Sequence, residues 1–169
     1  RPCSEPDVLA GPAYDETVSV PQHLKVNDAS TLFLLSQAKL LIACVMGDRA
    51  AAATHAERAR LYCKGGVGMH AFTLFHAYES LALLANAETL GKRRVAKLVA
   101  ENQEKLKVWA DNAPMNYRHH WLLIEAERLR VAGKSDQSIR LSDEAIDQAR
   151  AGGFLHEEAL AHELTARCY

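Results

Sequence analysis

Residues 112–153, NAPMNYRHHWLLIEAERLRVAGKSDQSIRLSDEAIDQARAGG, read as two helices and the turn between them. After Asn116, the positions Leu122, Ala126 and Leu129 recur at helical spacing until Gly133. Ser135 opens the next run, in which Ile139, Ser142, Ala145, Ile146 and Ala149 share one face until Gly152-Gly153. Helices joined by so short a turn pack as antiparallel neighbours.

The same punctuation extends outward. Ser138 and Ala145 stand five and twelve positions after Gly133, and Ala52 and Ala59 stand likewise after Gly47. Gly91 is followed by Ala96, but Gln103 stands where the second small residue is due, so the middle unit is irregular. Small residues let the two helices of a hairpin cross closely. A helical hairpin of about 34 residues marked this way is the tetratricopeptide pattern. Each hairpin leaves an apolar face that only its neighbour covers. The expected fold is therefore all-α, with antiparallel helical hairpins stacked as a tetratricopeptide-like right-handed superhelix; a plain Ala-rich bundle is the alternative. The hairpins fall at about 28–64, 71–112 and 116–152, with a final helix at 155–167. Residues 1–27 read as a Pro-rich linker or extended lead-in, with Val18-Ser19-Val20 briefly extended.

Expected inward stripes are Leu35, Ala38, Ile42 and Val45, then Ala52, Ala56, Ala59 and Cys63, then Leu74, Tyr78, Leu81 and Ala85. Asp28 or Ser30 serves as N-cap. Gly65-Gly66-Val67-Gly68 reads as a flexible loop between repeats, since it lacks the Lys-Ser/Thr ending of a phosphate loop. Trp109 and Trp121 flank the turn at Asn112–Asn116 and read as core packing of that hinge.

Composition agrees. The chain of 169 residues has 28 Ala and 22 Leu but only 7% aromatics, which favours helices over a β-sandwich. Its net charge of −1 gives no field for nucleic acid or an anionic membrane. No apolar run of about 18 residues spans a membrane, and no signal-peptide pattern leads the chain. Four Cys without CxxC spacing read as reduced thiols, hence a cytoplasmic location. The Arg1 start within Pro-rich sequence reads as a segment of something longer.

No catalytic, metal or cofactor set emerges from spacing. His119 and His120 are adjacent, so a helix points them about 100° apart. His156 and His162 are six apart and do not make HExxH, and neither do His70 and His76. Glu125 and Glu127 do not form a catalytic pair. Lys92-Arg93-Arg94 with Lys97 opposes the helix dipole and reads as a solvated face or a partner contact.

Binding is expected instead on a concave face lined by the first helix of each hairpin. Its positions are Leu34, Gln37 and Leu41; Tyr78, Leu81 and Ala85; and His120, Leu123, Glu127 and Arg130. A peptide, a small ligand or a neighbouring domain fits such a groove. The chain's own residues 1–27 or its last helix could equally fill it.

The stretch 101–133, ENQEKLKVWADNAPMNYRHHWLLIEAERLRVAG, with DEAIDQARAGGFLHEEALAHEL at 143–164 and the terminal ARCY, resembles the helical-repeat segment of very large bacterial signalling proteins. The likeness covers about Phe72 to Tyr169. It departs at His120, where relatives carry Lys, and at Leu141-Ser142. In that family a serine/threonine-kinase-like domain and an ATPase domain precede the repeats, and a GAF domain and a histidine kinase or other output domain follow. The resemblance implies a non-catalytic scaffold linking an ATPase region to an output domain; the alternative is a sensor binding an inducer or peptide in the groove. Partners are then the flanking domains or a protein or peptide, with no nucleic acid and no membrane. The stripe Leu160, Leu164 and Cys168 is expected at a raw end of the stack, where it would drive self-association.

Overall fold

Asp28 and Asp48 each begin a helix by accepting a hydrogen bond from the backbone three residues on, Thr31 N at 3.1 Å and Ala51 N at 3.0 Å. Such local signals recur along the chain. A computed structural model describes residues 8–169. Its helices are α1 (Glu16–Lys25), α2 (Ala29–Val45), α3 (Arg49–Tyr62), α4 (His70–Ala85), α5 (Ala87–Leu90), α6 (Lys92–Asn112), α7 (Pro114–Val131), α8 (Ser135–Gly152) and α9 (Leu155–Ala166). A 3₁₀ turn occupies Cys63–Gly66. Among the described residues the only β pairing is an isolated bridge between Ala10 and Asp15. None of their helices is long and apolar enough to cross a membrane.

The seven long helices expected after Asp28 are present. Gly47 (φ +71°) and Gly133 (φ +75°) end α2 and α7 in the left-handed region. The following amides turn back onto the last helical turn, Asp48 N to Ala43 O and Lys134 N to Leu129 O, both at 2.9 Å. Ala59, Ser138 and Ala145 are almost wholly buried, as expected of small residues where helices cross. The Ser138 hydroxyl donates to Ala126 O across the α7–α8 crossing (2.8 Å). In the irregular middle unit Ala96 is exposed and Gln103 is buried.

Three local expectations are corrected. Val18-Ser19-Val20 lies within α1, not in an extended segment. Asp15 caps that helix through Thr17 N (2.8 Å), and Glu16 anchors it to Lys39 of α2 (2.6 Å). These ties outweigh the β-branched residues and Pro21. Pro2, Cys3 and Pro6 lie outside the described residues. Second, α2 buries Leu32, Phe33, Ser36, Gln37, Leu40 and Ala43, while Ala38 and Ile42 of the expected stripe are exposed. The helix is apolar on nearly every side, so periodicity does not choose a face. Phe33 does, packing edge-on to Phe75 with centroids 5.7 Å apart. Third, Gly65-Gly66 is a packed turn rather than a flexible loop. Ser30 Oγ donates to Gly65 O (3.0 Å), and any side chain at Gly66 would collide with the Phe33 ring.

Each long helix from α2 onward packs on the next, while α2 touches α4 and α4 touches α7 to form an inner layer. The last helix packs on α8 and turns Leu160, Ala161 and Leu164 into the same core as Ala43, Leu81 and Leu123. Leu160 and Leu164 are only 4% and 5% exposed. The expected raw apolar end is thus already covered within the chain, and the argument for self-association through Leu160 and Leu164 falls with it. Cys168 is half-buried, beside Ser138.

Candidate functional site

The inward stripe of α7, Leu122 and Ala126, continues one turn back to His119. His119 and His120 are both buried there, 2% and 4% exposed. Glu157, in the first turn of α9, comes down on them and is itself 4% exposed. His120 Nε2 stands 3.8 Å from Glu157 Oε1, and His156 Nε2 stands 2.8 Å from Glu157 Oε2. The His119 ring lies between His120 (centroids 4.1 Å) and Phe154 (4.6 Å, stacked). Neither of its nitrogens has a hydrogen-bond partner among the described residues. Tyr78 of α4 packs edge-on to His120 at 6.2 Å.

Burial sets the charge states. It pushes the His119 imidazole down to about 4, helped by the nearby His156. His120 is held well below its ordinary value, first by burial and then by His119, His70 and His156. Burial raises Glu157, and the facing His156 works against that rise. Both imidazoles are therefore neutral at neutral pH and able to act as ligands.

The expected groove residues divide. Tyr78, Leu81, His120 and Leu123 are buried rather than lining an open channel; the first two and Leu123 share a core with Leu160 and Leu164 of α9, and His120 faces Glu157 of the same helix. Glu127 is buried against Arg130, which grips it through Nε and Nη2, both at 2.9 Å. Leu81, Glu127, Leu160 and Leu164 meet around one shallow cleft with the α2–α3 turn. Gln37 is buried in α2, Leu41 and Ala85 are half-buried, and Leu34 is exposed. Spacing missed the His119–His120–Glu157 group because its third member arrives from another helix. The signal available was two histidines on the buried side of an apolar run.

A second buried polar cluster joins α3, α4 and α6. Arg60 Nε donates to Glu79 (2.6 Å), and Asn102 Nδ2 donates to Glu79 (2.9 Å) and Ser80 Oγ (3.1 Å). His76 Nδ1 donates to Asn102 Oδ1 (2.9 Å). Ser80 is fully buried and gives its own proton to His76 O, so it is not aligned as a nucleophile. The basic start of α6 is solvent-exposed, with Lys92 paired to Glu88 (2.8 Å). The chain matches no protein-family model, no curated protein and no solved structure.

Proposed function

We propose that this chain is a non-catalytic, tetratricopeptide-like scaffold of a cytoplasmic multidomain signalling protein, coupling an ATPase region to an output domain. The observation that carries the reading is that Tyr78, Leu81 and Leu123, the residues a groove-binding sensor would need open, are buried in one core with Leu160 and Leu164 of α9. A module whose inner face is covered by its own last helix has its exposed flanks left for neighbours. Stacked hairpins transmit small changes in packing angle along their length, which suits coupling of adjacent domains. Titration of this module with the regions encoded on either side of it in its reading frame tests the proposal. Saturable binding, with no nucleotide turnover by the module, is the expected result. A thermal shift produced by a small molecule or peptide, with no binding to either neighbour, would establish the sensor instead.

A further inference from the structure

We propose that His119, His120 and Glu157 form a site for a divalent transition metal of the zinc type that ties α9 to α7. One ligand atom from each side chain lies within 4.8 Å of the other two. Zinc holds imidazole nitrogen and carboxylate oxygen at about 2.0–2.2 Å, which spaces its donors by roughly 3.3 Å. Small side-chain rotations close that difference. The separation of His120 from Glu157, 3.8 Å, is too long for a hydrogen bond and leaves room for an ion between them.

The chemistry of the three residues points the same way. A buried imidazole with both nitrogens unpartnered, as in His119, is costly unless something satisfies it. Two imidazoles and one carboxylate suit zinc, whereas magnesium and calcium require oxygen donors. His156 Nε2 also lies 2.8 Å from Oε2 of that carboxylate. The Phe154 ring stacked on His119 fixes the plane of that imidazole. Three protein ligands leave the fourth tetrahedral position to a water, and the burial of all three keeps substrate out, so the ion acts as a clasp between helices. This assignment is independent of the scaffold reading, because metal binding and domain binding are measured separately.

The test uses the full chain, stripped with a chelator and titrated with Co²⁺, then with Zn²⁺ as competitor. About one ion per chain is expected, with visible bands of four-coordinate cobalt that Zn²⁺ abolishes. Zn²⁺ should also raise the thermal midpoint. His119→Gln and Glu157→Gln should each weaken binding by at least about 10–100-fold. His162→Gln, at an exposed histidine of the same helix, should leave it unchanged. Octahedral cobalt alone, binding that survives both ligand variants, or binding lost with His162→Gln would overturn the site. Should a ligand variant fail to fold by circular dichroism, zinc-edge X-ray absorption of the parent decides. Scattering from two imidazoles supports the site, and scattering from one or none removes it.

Discussion

Asn102 shows how much one side chain can hold together. Its amide serves Glu79, Ser80 and His76 at once, all of them buried. Asn102→Leu fills the same space but strands these partners, and should lower stability by about 2–4 kcal/mol, read from a urea denaturation midpoint. His76 adds a pH signature. Burial pushes its imidazole down to about 4 from an ordinary 6.5. Between those values the unfolded chain binds a proton that the folded chain refuses. The histidine's contribution to stability is therefore complete above pH 6.5 and is lost as pH drops toward 4. Glu79 works in the opposite sense, because burial raises its carboxyl and protonation favours the folded state. His76→Gln keeps a donor for Asn102 and removes only the histidine's titration. Its stability should depend on pH less steeply than the parent's, by up to about 1.4 kcal/mol per pH unit in that window. None of these polar positions was legible in the sequence. A Glu, an Asn and a His spread over two helices carry no spacing that announces a shared buried network.

At the scale of elements the sequence was far more readable. Glycines in left-handed conformation and aspartate caps mark the ends of helices by local chemistry, which needs no knowledge of the tertiary fold. The faces were harder. Where small residues alternate with polar ones, as in α3 and α8, the buried side follows from the period. In α2, with apolar residues all round, only the neighbour decides. Two variants test the packing. Ala145, 1% exposed where α8 crosses α7, should lose about 1–3 kcal/mol when replaced by Leu, seen as a lower denaturation midpoint. Gly66→Ala should cost a similar amount, about 1–3 kcal/mol, because the new methyl meets the Phe33 ring. Gly11, which is not in the left-handed region and would meet only Tyr14 O at 3.9 Å, makes the comparison. If Gly66→Ala is no worse than Gly11→Ala, the close approach of the 3₁₀ turn to α2 is wrong. Trp109 and Trp121 are only half-buried, so Trp109→Ala should cost about 2 kcal/mol rather than the 3–5 kcal/mol of a fully buried ring.

Over the whole molecule, the decisive arrangement is α9 against the inner layer. The local pattern showed that Leu160 and Leu164 share a face, but which partner covers that face depends on how the preceding hairpins stack. The candidate metal ligands escaped notice for the same reason, since Glu157 reaches His119 and His120 only once α9 has docked. Leu160→Glu places a charge against Ala43, Leu81 and Leu164. It should destabilise the chain by several kcal/mol, on the order of 3–5. Thermal melts should show this loss, and light scattering should show no oligomer that the mutation dissociates.

The position of α9 also bears on how the chain is made. A linear stack could finish each hairpin as it leaves the ribosome. Here Leu81 and the α2–α3 turn meet Leu160 and Leu164 only once α9, about 80 residues further along the chain, has been made. For roughly 5–15 s of synthesis, at ordinary elongation rates, the nascent chain carries an apolar inner face with nothing on it. That interval is when a chaperone would engage it, and a message truncated before α9 would yield a product that keeps the exposed face for good.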